Sequence, residues 1–234
     1  FEESLEAFNT ALDLLPDFGT AWVERAETYR QMGEYHKALK DIKQARKMLG
    51  DDAWMYAVLG EVQRGLNQSK AALASFGKSL KIDPEYDWAY AHRARLYREL
   101  KIYDKSLADF NQALKIKPNY VWAYYQRGEL YQEMGNVEAA WDDYQKTLQL
   151  NPKYYWAMAG IAEILIFKQT FQEAIPYLEQ FLRFKPKDTW ALSQLGLSYE
   201  KTNQIDQARK NYWQALIFEP DNTWVKQRWE AVQS

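Results

Sequence analysis

The sequence predicts an all-α protein built from a tandem helical repeat, and three observations support this fold class. Tryptophan recurs at intervals of 34 residues through most of the chain. Proline keeps the same interval, and the stretches between the prolines carry apolar residues at helical spacing. A fixed period of this length is typical of repeat architectures. The tryptophans in this register are Trp54, Trp88, Trp122, Trp156, Trp190 and Trp224.

Each period contains two helical patterns separated by a turn. In residues 87–120, helix A is predicted over about 87–100 and helix B over about 103–116. Pro118 then ends helix B, because proline cannot continue the hydrogen-bond ladder. The slot between the two helices favours a left-handed residue, which glycine and asparagine adopt most readily. This slot holds Gly33, Asn67, Lys101, Gly135, Gln169 and Asn203.

The register organises residues 1–234 as a single array. Residues 1–16 are predicted to form helix B of a truncated repeat, and residues 223–234 a C-terminal capping helix. Because Phe1 already lies inside the pattern, we expect the native N-terminus to lie outside this segment. Six full repeats are predicted between the two ends, at 19–52, 53–86, 87–120, 121–154, 155–188 and 189–222.

Composition argues against several classes of partner. A formal net charge of −2 does not provide the excess of positive charge that is typical of proteins that bind nucleic acid. The absence of cysteine removes disulfides and thiolate metal sites. The most apolar stretch, residues 156–167, is interrupted by Glu163 and is too short to span a membrane. We therefore expect a cytoplasmic protein without a membrane span, for which nucleic acid is an unlikely partner.

Catalytic chemistry is not predicted. His36 and His92 are the only histidines and lie in different repeats, and the acidic pair Asp142 and Asp143 is expected on solvated helix surface. The sequence shows no nucleophile with its base, no metal-ligand pair and no phosphate-binding loop. The protein is thus predicted not to be an enzyme, with no catalytic residue, no metal and no cofactor.

Further residues in the same register carry a family resemblance. Helix A repeats Tyr29, Tyr97, Tyr131 and Tyr199, small residues recur where two helices approach each other, and alanine recurs in helix B. Together with the prolines that precede each new repeat, this pattern resembles the tetratricopeptide repeat (TPR), and it is similar to bacterial TPR arrays. The resemblance implies a right-handed superhelical solenoid in which helix A lines a concave groove that binds peptides.

Residues 119–128, NYVWAYYQRG, show that helix A has two occupied faces. Trp122 and Tyr124 point roughly 200° apart at about 100° per residue. The resemblance implies that the tyrosine face packs on helix B and that the tryptophan face lines the groove. The alternative, that the tryptophans mainly pack the joints between successive A helices, stays open, because a residue repeated with the architecture need not contact a ligand.

The resemblance places a partner-binding site on the groove face of helix A. The N-terminal half of this face is predicted to be mixed and charged, and the C-terminal half, around Phe167, to be apolar. Exposed apolar clusters mark binding surfaces, although burial against the helix B of the same repeat is the alternative. The predicted groove residues are Trp54, Trp88, Arg95, Arg98, Trp122, Tyr125, Glu129, Trp156, Ile166, Phe167, Trp190 and Leu197.

Three functional hypotheses follow from this arrangement. The first is a scaffold that binds an extended or helical segment of a partner protein in the groove through aromatic anchors. The second is a structural spacer or self-association module of a larger assembly or sensor, in which the end helices or the convex surface make the contact. The third is a substrate-recruiting arm of an enzyme whose catalytic domain lies outside this segment.

Overall fold

A computed structural model describes residues 1–233, and in this part of the chain all regular secondary structure is helical. The described helices are short, with lengths of 9 to 15 residues. In chain order they are α1 (Glu2–Leu14), α2 (Gly19–Gln31), α3 (Tyr35–Leu49), α4 (Ala53–Gly65), α5 (Ser69–Ile82), α6 (Asp87–Glu99), α7 (Tyr103–Ile116), α8 (Val121–Glu133), α9 (Val137–Leu150), α10 (Tyr155–Phe167), α11 (Phe171–Phe184), α12 (Thr189–Lys201), α13 (Ile205–Phe218) and α14 (Thr223–Ala231).

Neighbouring helices pair as hairpins joined by tight turns. Helices α2 and α3 pack on each other, as do α4 and α5, α6 and α7, α10 and α11, and α12 and α13. The predicted left-handed residue is present in every turn between a helix A and its helix B, at φ of 58° to 78°. Lys101 and Gln169 adopt this conformation too, so the hairpin geometry overrides their weaker preference.

Among the caps that the described residues show, side chains fix the start of α4, α9, α12 and α14. Asp52, Asn136, Asp188 and Asn222 each accept a hydrogen bond from the backbone N–H three residues further on. Such a cap satisfies one of the N–H groups that a helix N-terminus leaves without an intrahelical partner. The residues before α4, α9, α12 and α14 thus specify where those helices begin.

Close approach within each hairpin depends on the small residues of helix A. In the hairpin of α12 and α13, a Cβ atom on Gly196 would lie 2.7 Å from the ring of Tyr212. Ala26, Ala94 and Ala162 occupy the same register position and are fully buried. A larger side chain at this position would push helix B away and lose packing on both helices.

Within residues 1–233, buried arginine–aspartate pairs join helix A to helix B in the hairpins of α2 and α3, of α6 and α7, and of α8 and α9. In each pair the arginine Nε lies 2.7 Å from a carboxylate oxygen of an aspartate 16 residues further along the chain. Both guanidinium arms bind the carboxylate, which is the strong bidentate geometry. The pairs are Arg25–Asp41, Arg93–Asp109 and Arg127–Asp143.

The expectation that Asp143 lies on solvated helix surface is therefore wrong. Asp143 is buried against Arg127, while its neighbour Asp142 is exposed. Burial raises the pKa of Asp143, and the Arg127 guanidinium opposes that rise. The two acids differ because successive residues of a helix point about 100° apart.

The chain forms two compact units, which we call the first unit, Phe1–Ala123, and the second unit, which begins at Tyr124 inside α8. The core of the first unit includes Val23, Ile42 and Val62, which are almost fully buried. The core of the second unit is built around Ile161 and Leu178. None of the helices in residues 1–233 is both long enough and apolar enough to cross a membrane.

Candidate partner-binding site

The tryptophan face of the first unit is occupied by the protein's own side chains. The His92 ring stacks on Trp88 with a centroid distance of 3.7 Å, and on its other side it stacks with Trp122 at 4.5 Å. Trp54 is half-buried and packs against the core of this unit. In this part of the chain the tryptophans pack the joints between A helices, which is the architectural role that the sequence left open.

A network of charges lies beside this stack. Glu61 is fully buried, and its carboxylate binds Arg64 Nε at 2.9 Å and lies 3.7 Å from an Arg30 nitrogen. His92 Nδ1 lies 3.3 Å from Glu61 Oε1, but the direction of this contact does not form an aligned hydrogen bond. The buried carboxylate is thus neutralised by arginines of its own unit.

The buried histidine and glutamate of this network have shifted pKa values. Burial lowers the pKa of His92 below its ordinary value of 6.5, and the nearby Glu61 carboxylate opposes this shift only in part. Burial alone would raise the pKa of Glu61, but contacts with His92 and Arg64 outweigh it and hold that pKa well below 4.5. Near neutral pH the network therefore contains a charged Glu61 and a neutral His92.

The predicted groove arginines of the first unit border the same network. Glu99 accepts a hydrogen bond from Arg64 at 3.1 Å and one from Arg95 at 3.2 Å. Arg98, one turn further along α6, is half-buried. Arg64 and Arg95 therefore have intramolecular partners, which lessens what they could offer to a ligand.

The second unit presents an open cavity on its tryptophan face. The cavity has a volume of about 450 Å³, within the range of roughly 300–1,000 Å³ that ligand sites occupy. Trp156 and Trp190 are 43% and 39% exposed. The lining residues are Tyr125, Glu129, Gln132, Glu133, Tyr144, Trp156, Ala159, Gly160, Glu163 and Trp190.

Buried aromatic packing supports the two indoles. The ring of Phe181 is almost fully buried and lies 5.7 Å from Trp156 and 6.5 Å from Trp190, edge-on to the latter. Tyr155 packs beside Trp156 at 5.1 Å. Since Phe181 belongs to helix α11, the hairpin of α10 and α11 and the start of α12 together hold the cavity wall in place.

Glycine creates the floor of the cavity. A Cβ atom on Gly160 would lie 2.5 Å from the Tyr144 ring, and one on Gly128 would lie 2.7 Å from it. The Tyr144 hydroxyl donates to Gln132 Oε1 at 2.8 Å, which fixes the ring between the two glycines. The Tyr144 ring therefore fills the space in which a side chain of either glycine would begin, and Gly160 and this ring together line the cavity.

The cavity is acidic as well as aromatic. Glu129, Glu133 and Glu163 line it, and among the described lining residues none is basic. Glu129 accepts hydrogen bonds from the Tyr125 hydroxyl at 2.9 Å and from the Gln126 amide at 2.6 Å. Burial and the Glu129 charge raise the pKa of Tyr125 well above 10, so this hydroxyl keeps its proton.

The predicted apolar C-terminal half of the groove is not one surface. Phe167 is 74% exposed and lies at a second hollow of about 380 Å³, which shares Gln132 and Glu163 with the cavity. Ile166 instead packs against the core of the second unit, and Leu197 is half-buried. Neither residue lines the cavity, because their positions on helix A turn them away from its opening.

Sequence reasoning identified the aromatic walls of the cavity but missed its floor and part of its charge. Trp156, Trp190, Tyr125 and Glu129 were among the predicted groove residues, whereas the following lining residues were not: Gln132, Glu133, Tyr144, Ala159, Gly160 and Glu163. The sequence did contain a signal for the floor of the cavity, because Gly160 occupies the sixth position of repeat 155–188, where the other repeats carry a side chain. Within residues 1–233 no group of acidic and histidine residues could hold a metal ion.

Family models match four parts of the chain. A tetratricopeptide-repeat model matches residues 17–85, a TPR-repeat model residues 94–135, and two further tetratricopeptide-repeat models residues 121–154 and 190–217. No curated protein sequence matches.

Solved structures of similar fold cover most of the chain. A structure of Pseudomonas aeruginosa PilF aligns with a TM-score of 0.81 at 18% identity, covering 92% of this chain and 96% of its own. YrrB, described as a TPR protein with an unusual peptide-binding site, aligns with a TM-score of 0.66 at 19% identity, covering 80% and 96%. MamA aligns with a TM-score of 0.64 at 23% identity, covering 72% and 92%.

At these identities the structural neighbours establish the fold, and the family models establish the repeat. Together they confirm the all-α helical-repeat prediction. The chain is a member of the tetratricopeptide-repeat family, whose members generally act as scaffolds for protein–protein interaction.

Proposed function

We propose that this protein is a non-catalytic interaction scaffold that binds an extended segment of a partner protein on the tryptophan face of its second unit. One observation carries the proposal: Trp156 and Trp190 line an open cavity and keep about two-fifths of their surface exposed. An indole left in water forgoes the free energy of its burial. A partner that covers both rings recovers that free energy on binding.

The two indoles have the properties of binding anchors. Their rings are held from behind by Phe181, so little conformational entropy is lost when a ligand contacts them. Tryptophan is enriched among the residues that contribute most to protein–protein affinity. The cavity also offers polar acceptors, which fix the orientation of a ligand that aromatic contact alone would leave free.

The hollow beside Phe167 extends this site. It is lined by Val137, Ile164 and Phe167, and it shares two lining residues with the cavity. An apolar side chain of the same segment fits this hollow, because its lining is mainly aliphatic and aromatic. A segment that fills both spaces must be longer than one residue, which favours a peptide over a small metabolite.

The experiment is a peptide selection on the whole chain. A library of random 12-residue peptides is displayed on phage and panned on the protein, and enriched peptides are measured by fluorescence polarisation. We expect Trp190→Ala to weaken these peptides by about tenfold or more. Trp213→Ala is the matched control, because Trp213 is 54% exposed on α13 but lies outside the cavity lining.

Two results would overturn the proposal. One is that no peptide is enriched on wild-type protein beyond the Trp190→Ala variant. The other is that Trp213→Ala weakens binding as much as Trp190→Ala does, which would move the contact to the opposite helix of the hairpin and favour self-association or a spacer. Far-UV circular dichroism and the urea midpoint of each variant check that the helices remain folded.

A further inference from the structure

One register position differs between the cavity and the packed joint of the first unit. The sixth residue of each repeat lies one turn after the repeated tryptophan, so its side chain can reach that indole. After the six repeated tryptophans this position holds, in chain order, Val58, His92, Gln126, Gly160, Gln194 and Arg228. Arg228 and His92 show how a side chain with N–H groups and a flat face is held here.

Arg228 fills the site at the last helix. Its guanidinium carbon lies 5.7 Å from the centre of the Trp224 ring, and Nη1 donates to Glu200 Oε1 at 2.8 Å. The other oxygen of Glu200 accepts from the Tyr212 hydroxyl at 2.7 Å. An indole, a tyrosine and an acid of the preceding repeat thus hold a cation.

His92 fills the equivalent site in the first unit. It stacks on Trp88, and Nδ1 lies 3.3 Å from Glu61, which again belongs to the preceding repeat. In these two sites a nitrogen-bearing side chain lies between a tryptophan and a carboxylate. Guanidinium and imidazole groups suit this position because they offer both a flat face and N–H donors.

The cavity repeats this arrangement without the central side chain. Trp156 stands at the position of Trp224 and Tyr144 at that of Tyr212, whereas Gln132 replaces the acid Glu200. The acids of the cavity are instead Glu129, at the position of Glu61, with Glu133 and Glu163. Gly160 provides nothing to lie between them, and the Tyr144 ring lies too close to Gly160 for a side chain at this position. None of the described lining residues is basic, so a cation that lies between Trp156 and Glu163 has to be supplied by another molecule.

We infer that the cavity binds an arginine side chain of the partner segment, in the place that Arg228 and His92 occupy in the equivalent repeats. The inference rests on the proposed function, since it names the residue that the bound segment contributes. Glu163 lines the cavity, is exposed and has no ion-pair partner among the described residues, so it is free to receive a guanidinium. Arginine suits the site better than lysine because its planar group can stack on an indole while donating to a carboxylate.

The first test needs no partner. The ¹H–¹⁵N spectrum of the whole protein is recorded during titration with N-acetyl-arginine amide and, separately, with N-acetyl-citrulline amide, which has the same shape without the charge. We expect saturable shifts of the Gly160 amide and the Trp190 indole with the arginine compound only. Unmoved signals, or equal shifts with citrulline, overturn the inference.

A charge variant sharpens this result. Glu163→Gln should weaken the arginine compound by about two- to fivefold, as expected for a partly exposed ion pair. Glu230→Gln is the control, because Glu230 is exposed on α14 and does not line the cavity. An equal effect of the two variants, or none from Glu163→Gln, would show that the cavity does not recognise charge.

The selected peptides separate this inference from the proposed function. If they depend on Trp190 and lose affinity when arginine is replaced by citrulline, both proposals are supported. If they depend on Trp190 but contain no arginine at a fixed position, the scaffold function stands and the arginine inference falls. If no peptide depends on Trp190, the proposed function falls, and the arginine titration still decides what the cavity recognises.

Discussion

The first and second units carry the same repeated tryptophan and use it in different ways. In the first unit Trp88 and Trp122 are half-buried, because the His92 ring lies between them. In the second unit Trp156 and Trp190 line an open cavity above Gly160. The residue one turn after the tryptophan, histidine in one case and glycine in the other, is one difference between this packed joint and the open cavity.

The charged residues near the tryptophans also differ between the two units. In the first unit Glu61 is neutralised by Arg64 and Arg30. In the second unit the cavity is lined by three glutamates, and none of its described lining residues is basic. The comparison teaches that the same repeated tryptophan can lie beside a buried charge network or beside an open acidic cavity.

The largest expected effect is loss of stability when the buried carboxylate of the first unit is removed. Glu61→Ala leaves Arg30 and Arg64 partly unpaired beside a buried site, and breaking a buried pair in this way costs about 3–5 kcal/mol of unfolding free energy. Glu163→Ala is the control in the second unit and should cost no more than about 0.5 kcal/mol, because Glu163 is exposed. Urea denaturation followed by circular dichroism measures both.

The opposite result would break the comparison. If Glu61→Ala and Glu163→Ala shift the urea midpoint equally, the charge network of the first unit does not stabilise the fold. In that case its residues would again be candidates for partner contact.

A second prediction concerns a feature that both units share. Asp143→Ala should lower the unfolding free energy by about 3 kcal/mol, because it leaves the buried Arg127 guanidinium unpaired. Asp142→Ala, one residue earlier and exposed, should change it by less than about 0.5 kcal/mol. Asp109→Ala in the first unit should match Asp143→Ala, since the Arg93 pair has the same geometry. A large difference between Asp109→Ala and Asp143→Ala would show that the hairpins are not equivalent.

Much of this fold could be predicted from sequence, because periodicity reports local structure. The tryptophan and proline interval indicated the repeat, and the turn slot indicated each hairpin. Lys101 and Gln169 also adopt the left-handed backbone conformation in their turns, although it is less favourable for them than for glycine or asparagine. Because the same pattern recurs in every repeat, each helix and turn is assigned with less ambiguity than a single segment would allow.

The candidate site was predictable only in part, because a cavity depends on what neighbouring repeats leave empty. Trp156 and Trp190 stood out by type. Gly160 did not, since a glycine in helix A is usual where two helices approach, and only its contact with Tyr144 shows its effect. The burial of Asp143 depended on a partner 16 residues away, which helical spacing within one element does not reveal.

The third prediction is a pH dependence that belongs to the first unit. Burial holds the pKa of His92 below 6.5, so the unfolded chain takes up a proton more readily than the folded protein does. The contribution of His92 to the free energy of unfolding is therefore fully present above about pH 6.5. It is lost as the pH falls from there toward the pKa of His92 in the folded protein. The carboxylate of Glu61 adds a separate loss below its ordinary value of 4.5.

Urea midpoints measured between pH 7.5 and 5, an interval chosen as roughly bracketing the histidine titration, test this dependence. His92→Gln should remove the part of the slope that the buried histidine causes. If His92→Gln keeps the whole slope of the urea midpoint against pH, the buried imidazole does not cause that slope. Protonation of His92 in the stack would then not lower the free energy of unfolding.

The smallest expected effect sharpens the description of the second unit. Phe167→Ala should leave the urea midpoint almost unchanged, because the ring is mostly exposed, and should weaken selected peptides by about threefold through lost apolar contact. Ile217→Ala is the control, since Ile217 is 51% exposed on α13 and lines neither the cavity nor the Phe167 hollow. If the two variants weaken a peptide equally, the hollow is not part of the site. The contrast between the units would then lie in the tryptophan pair and Gly160 alone, and the bound segment would be anchored by a single side chain.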